Sequence, residues 1–197
     1  MKKIGLYFGT FNPIHVGHLI IANYLANNSD LNEIWFVVSP HNPLKDKNNL
    51  LEDHHRLAMV QRAVEGNVKL KASSIEFDLP KPSYTVFTLQ ALKEKYTGTK
   101  FSLILGEDNL RTLHKWKNYE YILENHELYI YPRVHTSTEE LNETNDFAKH
   151  KNVHLVNAPV MNISSTLIRD SIKNKKDVRY LLTEPVYKYL DEMNFYK

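Results

Sequence analysis

Short apolar runs alternate with segments of helical spacing along most of this chain, and no other feature limits the possible folds as strongly. The runs are rich in β-branched and aromatic residues, which is typical of strands buried on both faces of a sheet. The segments between them place apolar residues three or four positions apart, as at Leu19, Ala22 and Leu25. The predicted strands cover residues 4–8, 34–38, 68–70, 101–105, 128–131 and 153–156.

This alternation predicts parallel strands joined by right-handed βαβ crossovers, with helices on both faces of the sheet. We therefore predict an α/β fold, a Rossmann-like doubly wound parallel sheet with a small C-terminal helical piece. In such a sheet, ligands bind at the carboxyl ends of the strands, near the point where the strand order reverses. The chemistry should lie directly after the predicted strands.

Chain length and hydrophobic content predict one domain. At about 150 residues for each domain, 197 residues favour a single domain over 1–197, with a C-terminal helical extension at about 178–197. The hydrophobic fraction of 42% is enough for one sizeable core, which excludes a chain that is disordered throughout.

Composition also excludes several classes of protein. Cysteine is absent, which excludes disulfide scaffolds, thiolate nucleophiles, zinc ribbons and iron–sulfur sites, and is compatible with a reducing cytosol. The formal net charge is only +2, so bulk charge does not indicate a nucleic-acid partner. No apolar stretch has the length of a membrane span, and polar residues return too early for a signal peptide. We expect a cytoplasmic protein with no nucleic-acid or membrane partner.

Residues 9–18, Gly-Thr-Phe-Asn-Pro-Ile-His-Val-Gly-His, connect the first predicted strand to the first predicted helix. Gly9 permits a tight turn that exposes backbone N–H groups, and Gly17 removes a side chain where a ligand must approach closely. His15 and His18 are three residues apart, so they share one face near the helix N-terminus. Imidazole donors at the positive end of a helix dipole form an anion site, which suits a polyphosphate.

Three simpler interpretations compete with an anion site. A His-x-x-His pair can be half of a metal site, but no carboxylate or third histidine lies nearby in the sequence, so we predict no metal site. For an arbitrary pair of this spacing, ordinary polar surface would be the favoured interpretation. Helix capping alone explains neither histidine. The full pattern of six fixed residues favours the anion site over all three.

This segment resembles the Gly-x-Phe-x-Pro-x-His-x-Gly-His hallmark of a nucleotidyltransferase superfamily. It is also similar to the HIGH signature of class I aminoacyl-tRNA synthetases. However, 197 residues leave no room for their anticodon-binding parts, and no Lys-Met-Ser-Lys-Ser segment is present. The resemblance implies that His15 and His18 are catalytic and that the segment binds ATP through Gly9, Thr10, Phe11, His15 and His18.

A second segment, Ile163–Arg169, follows the last predicted strand and opens a helix for which Ser164 or Ser165 is a good N-cap. A plain capped helix is the simpler interpretation. Arg169, however, lies in an early turn, where the helix dipole disfavours a cation unless an anion is present. Ile-Ser-Ser-Thr-x-Ile-Arg also resembles this segment in the bacterial nicotinate mononucleotide adenylyltransferase family. The resemblance implies that Ser164, Ser165, Thr166 and Arg169 bind ATP and that Arg169 is catalytic.

Further segments resemble the same family in the same order along the chain. Pro82-Ser83-Tyr84-Thr85 opens the third predicted helix, Gly106-Glu107-Asp108 follows the fourth predicted strand, and Trp116 comes next. The resemblance implies that Gly106 and Asp108 bind the adenosine of ATP. By themselves, Asp108 could be a helix cap and Trp116 a core residue. The residues implied to bind the acceptor are Lys45, Tyr84, Thr85, Trp116 and Arg133.

Three positions depart from the family pattern. Phe8 stands where the family usually has the first glycine of Gly-Gly-x-Phe, Asn12 stands where it usually has aspartate, and Leu44 replaces the histidine of a frequent Pro-His-Lys. The differences concern the first turn and the loop at 39–50. They leave the two histidines and the arginine of the phosphate segments unchanged.

The resemblance implies adenylyl transfer from Mg-ATP to nicotinate mononucleotide, which gives nicotinate adenine dinucleotide and pyrophosphate in NAD biosynthesis. Mg²⁺ would be carried mainly by the ATP phosphates. The expected partners are these two small-molecule substrates, and the oligomeric state is left open, a homo-oligomer included. Two alternatives remain: the same fold with another acceptor, such as the amide mononucleotide or phosphopantetheine, and a non-catalytic nucleotide-binding module.

Overall fold

A computed structural model describes residues 1–40, 50–133 and 145–197 of the chain. Six strands form one parallel sheet in the order β3-β2-β1-β4-β5-β6. Because the order reverses between β1 and β4, the sheet is doubly wound, as predicted. The strands are β1 (Lys2–Gly9), β2 (Glu33–Val38), β3 (Leu70–Ser73), β4 (Thr99–Gly106), β5 (Leu128–Tyr131) and β6 (Val153–Leu155).

Helices connect the strands and cover both faces of the sheet. The described α-helices are α1 (Val16–Asn28), α2 (Asp53–Val64), α3 (Thr85–Lys95), α4 (Glu107–Arg111), α5 (Tyr119–Asn125), α6 (Asn145–Ala148), α7 (Ser165–Lys173) and α8 (Glu184–Glu192). Short 3-10 turns lie at Ile75–Asp78, Leu113–Lys115 and Arg179–Leu181. Within the described ranges, none of these helices has the length and apolar character needed to span a membrane.

Two core clusters lie on opposite faces of the sheet, because successive strand residues point to opposite sides. One cluster packs under α1, α2 and α8, and it includes Tyr7 from β1 and Ile104 from β4. The other packs under α3, α4 and α5, and it includes Leu6 and Leu103 from the same two strands. Both central strands are therefore buried on both sides, which is why they read as continuous apolar runs.

Among the strands that the structure describes, β3 is the one displaced from its predicted position. The apolar run predicted a strand at 68–70, whereas β3 begins at Leu70 and ends at Ser73, pairing with Ile34 to Val37 of β2. Val68 is 85% exposed, because the Oδ1 atom of Asn67 accepts hydrogen bonds from the backbone N–H groups of residues 69 and 70 in a turn before the strand. This turn explains the displacement, since the other edge strand, β6, lies within one residue of its predicted bounds.

Candidate active site

The loop after β1 places the two histidines at the start of α1. His15 is the N-cap residue, and its carbonyl accepts hydrogen bonds from the N–H groups of His18, at 3.0 Å, and Leu19, at 3.4 Å. The two imidazole rings stack with centroids 3.7 Å apart. The N–H of His15 donates to Nδ1 of His18 at 3.3 Å. In the neutral ring of His18, the proton therefore lies on Nε2, which makes that nitrogen a donor.

Burial determines the charge of His15. This residue is only 5% exposed, and burial together with the positive charge of Arg133 lowers the pKa of His15 to about 4. Its imidazole is therefore neutral at pH 7. A Cβ atom on Gly17 would lie 3.1 Å from Nδ1 of His15. The absence of a side chain at Gly17 therefore leaves room for the His15 ring.

The turn between β1 and α1 is shaped by an aromatic residue. Phe11 is buried and has a φ of 45°, in the left-handed region. Its ring lies over Gly9, where a Cβ atom would be 2.9 Å from the nearest ring carbons. The same ring contacts His18 edge-on, with centroids 5.2 Å apart. The ring of Phe11 therefore contacts both Gly9 and His18, and the carbonyl of Thr10 accepts a hydrogen bond from Arg56 at 2.7 Å.

The start of α7 is joined directly to this loop. Ser164 is the N-cap, since its Oγ accepts a hydrogen bond from the N–H of Leu167 at 3.1 Å. Ser165 donates through Oγ to the carbonyl of Pro13 at 2.8 Å. Arg169 donates through Nη1 to the carbonyl of Asn12 at 2.8 Å and through Nη2 to Oγ1 of Thr166 at 3.2 Å. The two segments predicted to bind phosphate are thus brought together, although about 150 residues separate them in the sequence.

The ends of β4 and β5 supply the other side of the site. Gly106 is the N-cap of α4, and a Cβ atom there would overlap Oδ1 of Asp108 and lie 3.0 Å from Nε of Arg133. Nε of Arg133 lies 3.5 Å from Oδ1 of Asp108. Arg133 also donates to the hydroxyl of Tyr131 at 3.1 Å, which in turn accepts a hydrogen bond from Tyr7 at 3.1 Å. The sequence assigned Arg133 to the acceptor, whereas the structure places it beside the two residues assigned to adenosine.

The residues predicted to hold the acceptor ring lie around the start of α3. Tyr84 is the N-cap of this helix and Thr85 is its first residue. Nζ of Lys117 lies 4.7 Å from the ring centroids of both Tyr84 and Phe87, which brings the loop after the second 3-10 turn against the helix. The neighbouring Trp116 is partly buried and packs against the core. Lys45, the remaining acceptor residue of the prediction, lies outside the described residues.

A buried carboxyl group, that of Glu76, accepts a hydrogen bond from the same helix. Glu76 is 2% exposed, and its Oε1 accepts a hydrogen bond from Oγ1 of Thr88 at 2.7 Å. Burial raises the pKa of Glu76, and the hydrogen bond from Thr88 only partly opposes this effect. Glu76 lies in the short 3-10 turn after β3, a segment without the apolar periodicity that would have marked it as a buried residue.

Arg56 is the largest fully buried polar side chain of the described structure, and the sequence offered no spacing that predicted its contacts. It donates to the carbonyls of Thr10, Ser39, Pro40 and Leu51 and to Asp53, over distances between 2.5 and 3.1 Å. One guanidinium group therefore joins the loops that follow β1 and β2 to the start of α2. Among the described side chains, no three His, Asp or Glu residues converge as metal ligands would.

In this doubly wound sheet, the first and last βα turns meet around two histidines and an arginine. This arrangement is that of a nucleotidyltransferase. Consistent with this class, the family model described as cytidylyltransferase-like matches residues 6–171. Within it, the chain belongs to the nicotinate-nucleotide adenylyltransferase family, as its relatives show.

Two curated relatives and one solved structure illustrate the similarity. A protein of Flavobacterium psychrophilum named "Probable nicotinate-nucleotide adenylyltransferase" is 58% identical over 195 residues, which is 99% of each chain. A protein of the same name from Bacteroides fragilis is 42% identical over 94% of this chain and 90% of its own. The Plasmodium falciparum nicotinic acid mononucleotide adenylyltransferase complexed with NaAD superimposes with a TM-score of 0.79 at 22% identity, covering 100% of this chain and 98% of that one. This likeness confirms the predicted fold.

Proposed function

We propose that this chain transfers the adenylyl group of ATP to nicotinate mononucleotide, giving nicotinate adenine dinucleotide and pyrophosphate in NAD biosynthesis. Relatives named for this activity are 58% identical to this chain over 99% of both chains. The observation that carries the proposal is the joining of α1 and α7, through Ser165 to Pro13 and Arg169 to Asn12, both at 2.8 Å. This arrangement directs two helix N-termini and an arginine toward one place, which suits a triphosphate.

The reaction needs positioning more than acid–base chemistry. A phosphate oxygen of the acceptor attacks the α-phosphorus of ATP, the bond between that phosphorus and the oxygen bridging to the β-phosphate breaks, and pyrophosphate leaves. Because the attacking phosphate is already anionic at neutral pH, no general base is required. The protein therefore has to align the two phosphates and stabilise negative charge on the α-phosphate and the leaving group.

We assign the two histidines to the α- and β-phosphates. Nε2 of His18 is a donor, as the hydrogen bond to its Nδ1 requires, and the neutral His15 keeps the stacked pair from carrying two positive charges. We assign Arg169 and Thr166 to the β- and γ-phosphates. The hydroxyl of Ser165 already donates to Pro13, so this residue would contribute its backbone N–H. Gly9, Thr10, Phe11 and Ser164 would complete the ATP site by shaping the two turns.

We assign Gly106 and Asp108 to the adenosine, and Tyr84, Thr85 and Trp116 to the nicotinate ring and its carboxylate. The start of α3 presents unpaired backbone N–H groups, which suit a carboxylate. Lys45 and Arg133 would bind the acceptor phosphate. For Arg133 this requires the acceptor phosphate to approach the α-phosphate close to Gly106, which is what in-line attack needs.

Mg²⁺ would enter with the ATP phosphates. The described donors at the phosphate site are imidazole, guanidinium, hydroxyl and N–H groups, and these do not fit a resident magnesium ion, which prefers carboxylate and water oxygens. Mg²⁺ supplies charge neutralisation on the polyphosphate. We also propose that residues 1–197 act as one transferase domain, with a C-terminal helical extension at about 178–197, since Val186 and Leu190 of α8 share a core cluster with α1 and α2.

The test is pyrophosphate release from Mg-ATP with nicotinate mononucleotide and with its amide in parallel, alongside a control without acceptor. Release that depends on the acceptor and favours the acid supports the proposal. Equal use of both acceptors would contradict the carboxylate site at α3. An absence of release with both would remove the proposed reaction in favour of another acceptor or of a nucleotide-binding module.

The variant His18→Ala separates catalysis from folding. We expect kcat to fall about 100-fold or more, because a donor to the transition-state charge is lost. His54→Ala is the matched control, since the side chain of His54 is 65% exposed and lies outside the site. Near-normal turnover by a folded His18→Ala protein would contradict the assignment.

A further inference from the structure

The C-terminal segment returns to the loop after β1. Beyond α8, the backbone takes left-handed conformations at Asn194, with φ of 55°, and Tyr196, with φ of 63°. The hydroxyl of Tyr196 then donates to Oδ1 of Asn12 at 2.6 Å, across a separation of 184 residues. Asn12 is 5% exposed, so this bond is formed inside the protein.

Asn12 uses both of its oxygens to join separate parts of the chain. Its Oδ1 accepts the hydrogen bond from Tyr196 and another from the N–H of Leu51 at 3.3 Å. Its backbone carbonyl accepts the hydrogen bond from Nη1 of Arg169 at 2.8 Å. The hydroxyl of Tyr196 is therefore separated from the guanidinium group at the phosphate site by a single residue.

We propose that Tyr196 is a positioning residue for the transfer reaction, which holds Asn12 so that the Asn12 carbonyl orients Arg169 toward the triphosphate. The inference rests on the proposed function, in which Arg169 binds the β- and γ-phosphates. The hydroxyl of Tyr196 bonds to Asn12, so Tyr196 acts through that residue and not on the substrate.

The surroundings of Tyr196 suit a permanent hydrogen-bond donor. Burial raises the pKa of Tyr196, and the nearby positive charges of Arg169 and Arg56 oppose this only in part. The hydroxyl thus keeps its proton at neutral pH. In addition, both arginines have acceptors of their own, in Asn12 and in the carbonyls around α2, so the tyrosine is not required to neutralise either one.

The hydroxyl of Tyr196 is not needed to attach the C-terminal segment to the protein. Helix α8 packs against α2, and its Val186 and Leu190 lie in the core. Tyr189 adds a hydrogen bond between its hydroxyl and Nδ1 of His55 at 2.8 Å, and the guanidinium carbon of Arg62 lies 4.0 Å from the centroid of its ring. Removal of the Tyr196 hydroxyl should therefore leave the segment bound and release mainly Asn12.

The first experiment compares Tyr196→Phe with Tyr189→Phe. Each variant removes one hydrogen-bonded hydroxyl from the C-terminal segment, but only the first bond reaches the phosphate loop. We expect Tyr196→Phe to lower kcat/KM for ATP about tenfold, as the loss of one hydrogen bond that aligns a charged donor allows. We expect Tyr189→Phe to leave the kinetics at the wild-type value. Equal kinetic effects of the two variants, or no effect of Tyr196→Phe, would overturn the proposal.

A second experiment shows whether Tyr196 acts through Arg169. In a background of Arg169→Lys, we expect Tyr196→Phe to have no further effect on kcat/KM for ATP, because the geometry that it maintains is already lost. Effects that multiply independently would overturn the proposed route through Asn12.

Binding of α,β-methylene-ATP, measured by calorimetry in the absence of acceptor, keeps this test separate from the identity of the acceptor. We expect Tyr196→Phe to bind this analogue about tenfold more weakly than the wild type and Tyr189→Phe to bind it equally well. If the wild type binds the analogue but does not adenylate nicotinate mononucleotide, the proposed function fails, and the binding comparison still decides the role of Tyr196. Unchanged binding by Tyr196→Phe would overturn the inference.

Discussion

Replacement of Arg56 by methionine should destabilise the protein more than any change at a surface arginine. Methionine keeps the apolar stem but removes every donor. Four carbonyl oxygens, those of Thr10, Ser39, Pro40 and Leu51, then lose the partner seen in the structure. A buried polar group without a partner costs about 1–3 kcal/mol.

The magnitude follows from these four groups. A carbonyl has a second lone pair, and we therefore take the lower value of about 1 kcal/mol for each oxygen, which totals about 4 kcal/mol. Asp53 is one-third exposed, and the loss of its pairing adds little because water screens it. A loss of about 4 kcal/mol is a large part of the 5–15 kcal/mol that stabilises most domains.

Urea-induced unfolding measures this loss. With an m-value of about 2 kcal/mol/M, we expect the midpoint to fall by about 2 M. Arg62→Met is the control on the same helix. Among the residues that the structure describes, Arg62 donates only to Ala58 within α2 and stacks on Tyr189, so its loss should cost less than about 1 kcal/mol. A midpoint shift below about 0.5 M for Arg56→Met, or equal shifts for the two variants, would refute the reasoning.

Three further predictions concern charge and packing at the site. The pKa of His15 is lowered from 6.5 to about 4, so protonation of the unfolded state should remove about 3 kcal/mol of stability as pH falls from 6.5 to 4. His15→Asn should make the free energy of unfolding less dependent on pH over this range. An unchanged pH dependence in the variant would contradict the prediction. For Glu76 the pKa in the folded state is raised by burial, so its contribution to stability is full below pH 4.5 and is lost as pH rises. Glu76→Gln should therefore unfold at an equal or higher urea concentration than the wild type at pH 8, and a lower midpoint would contradict the raised pKa. Trp116→Ala should mainly raise KM for the pyridine nucleotide in steady-state assays, and an unchanged KM would mean that the indole only packs.

Strand positions could be predicted from the sequence wherever burial is complete. The central strands β1 and β4 are covered on both faces, so their apolar runs are continuous and their positions follow from the sequence. At the start of the edge strand β3, the buried Leu70 lies between the exposed Lys69 and Lys71. Because of the turn at Asn67, the strand begins two residues later than predicted. The other edge strand, β6, lies within one residue of its predicted bounds, so the displacement of β3 is explained by the turn at Asn67 and not by its edge position.

At the candidate site, the sequence predicted the residues that belong to short motifs. It did not predict the residues whose hydrogen bonds join parts of the chain that are far apart in sequence. His15, His18 and Arg169 belong to short motifs next to strand ends, and the structure brings them together. Arg56 lies in an ordinary amphipathic helix, and Tyr196 lies in a segment whose spacing says nothing about residue 12. Such contacts depend on how the chain folds in three dimensions, and no periodic pattern in the sequence indicates them.

The direct bonds between the loop after β1 and the segments from residue 165 onward have a consequence for the order of folding. Ser165, Arg169 and Tyr196 bond to residues 12 and 13 across separations of 152 to 184 residues. Such contacts close the longest loops in the chain and are expected to form late. A growing chain that has completed β1 to β3 therefore contains His15 and His18 but lacks the contacts that α7 and Tyr196 make with residues 12 and 13. Under the proposed function, high-affinity ATP binding should therefore appear only after α7 and the segment around Tyr196 have docked against the loop after β1.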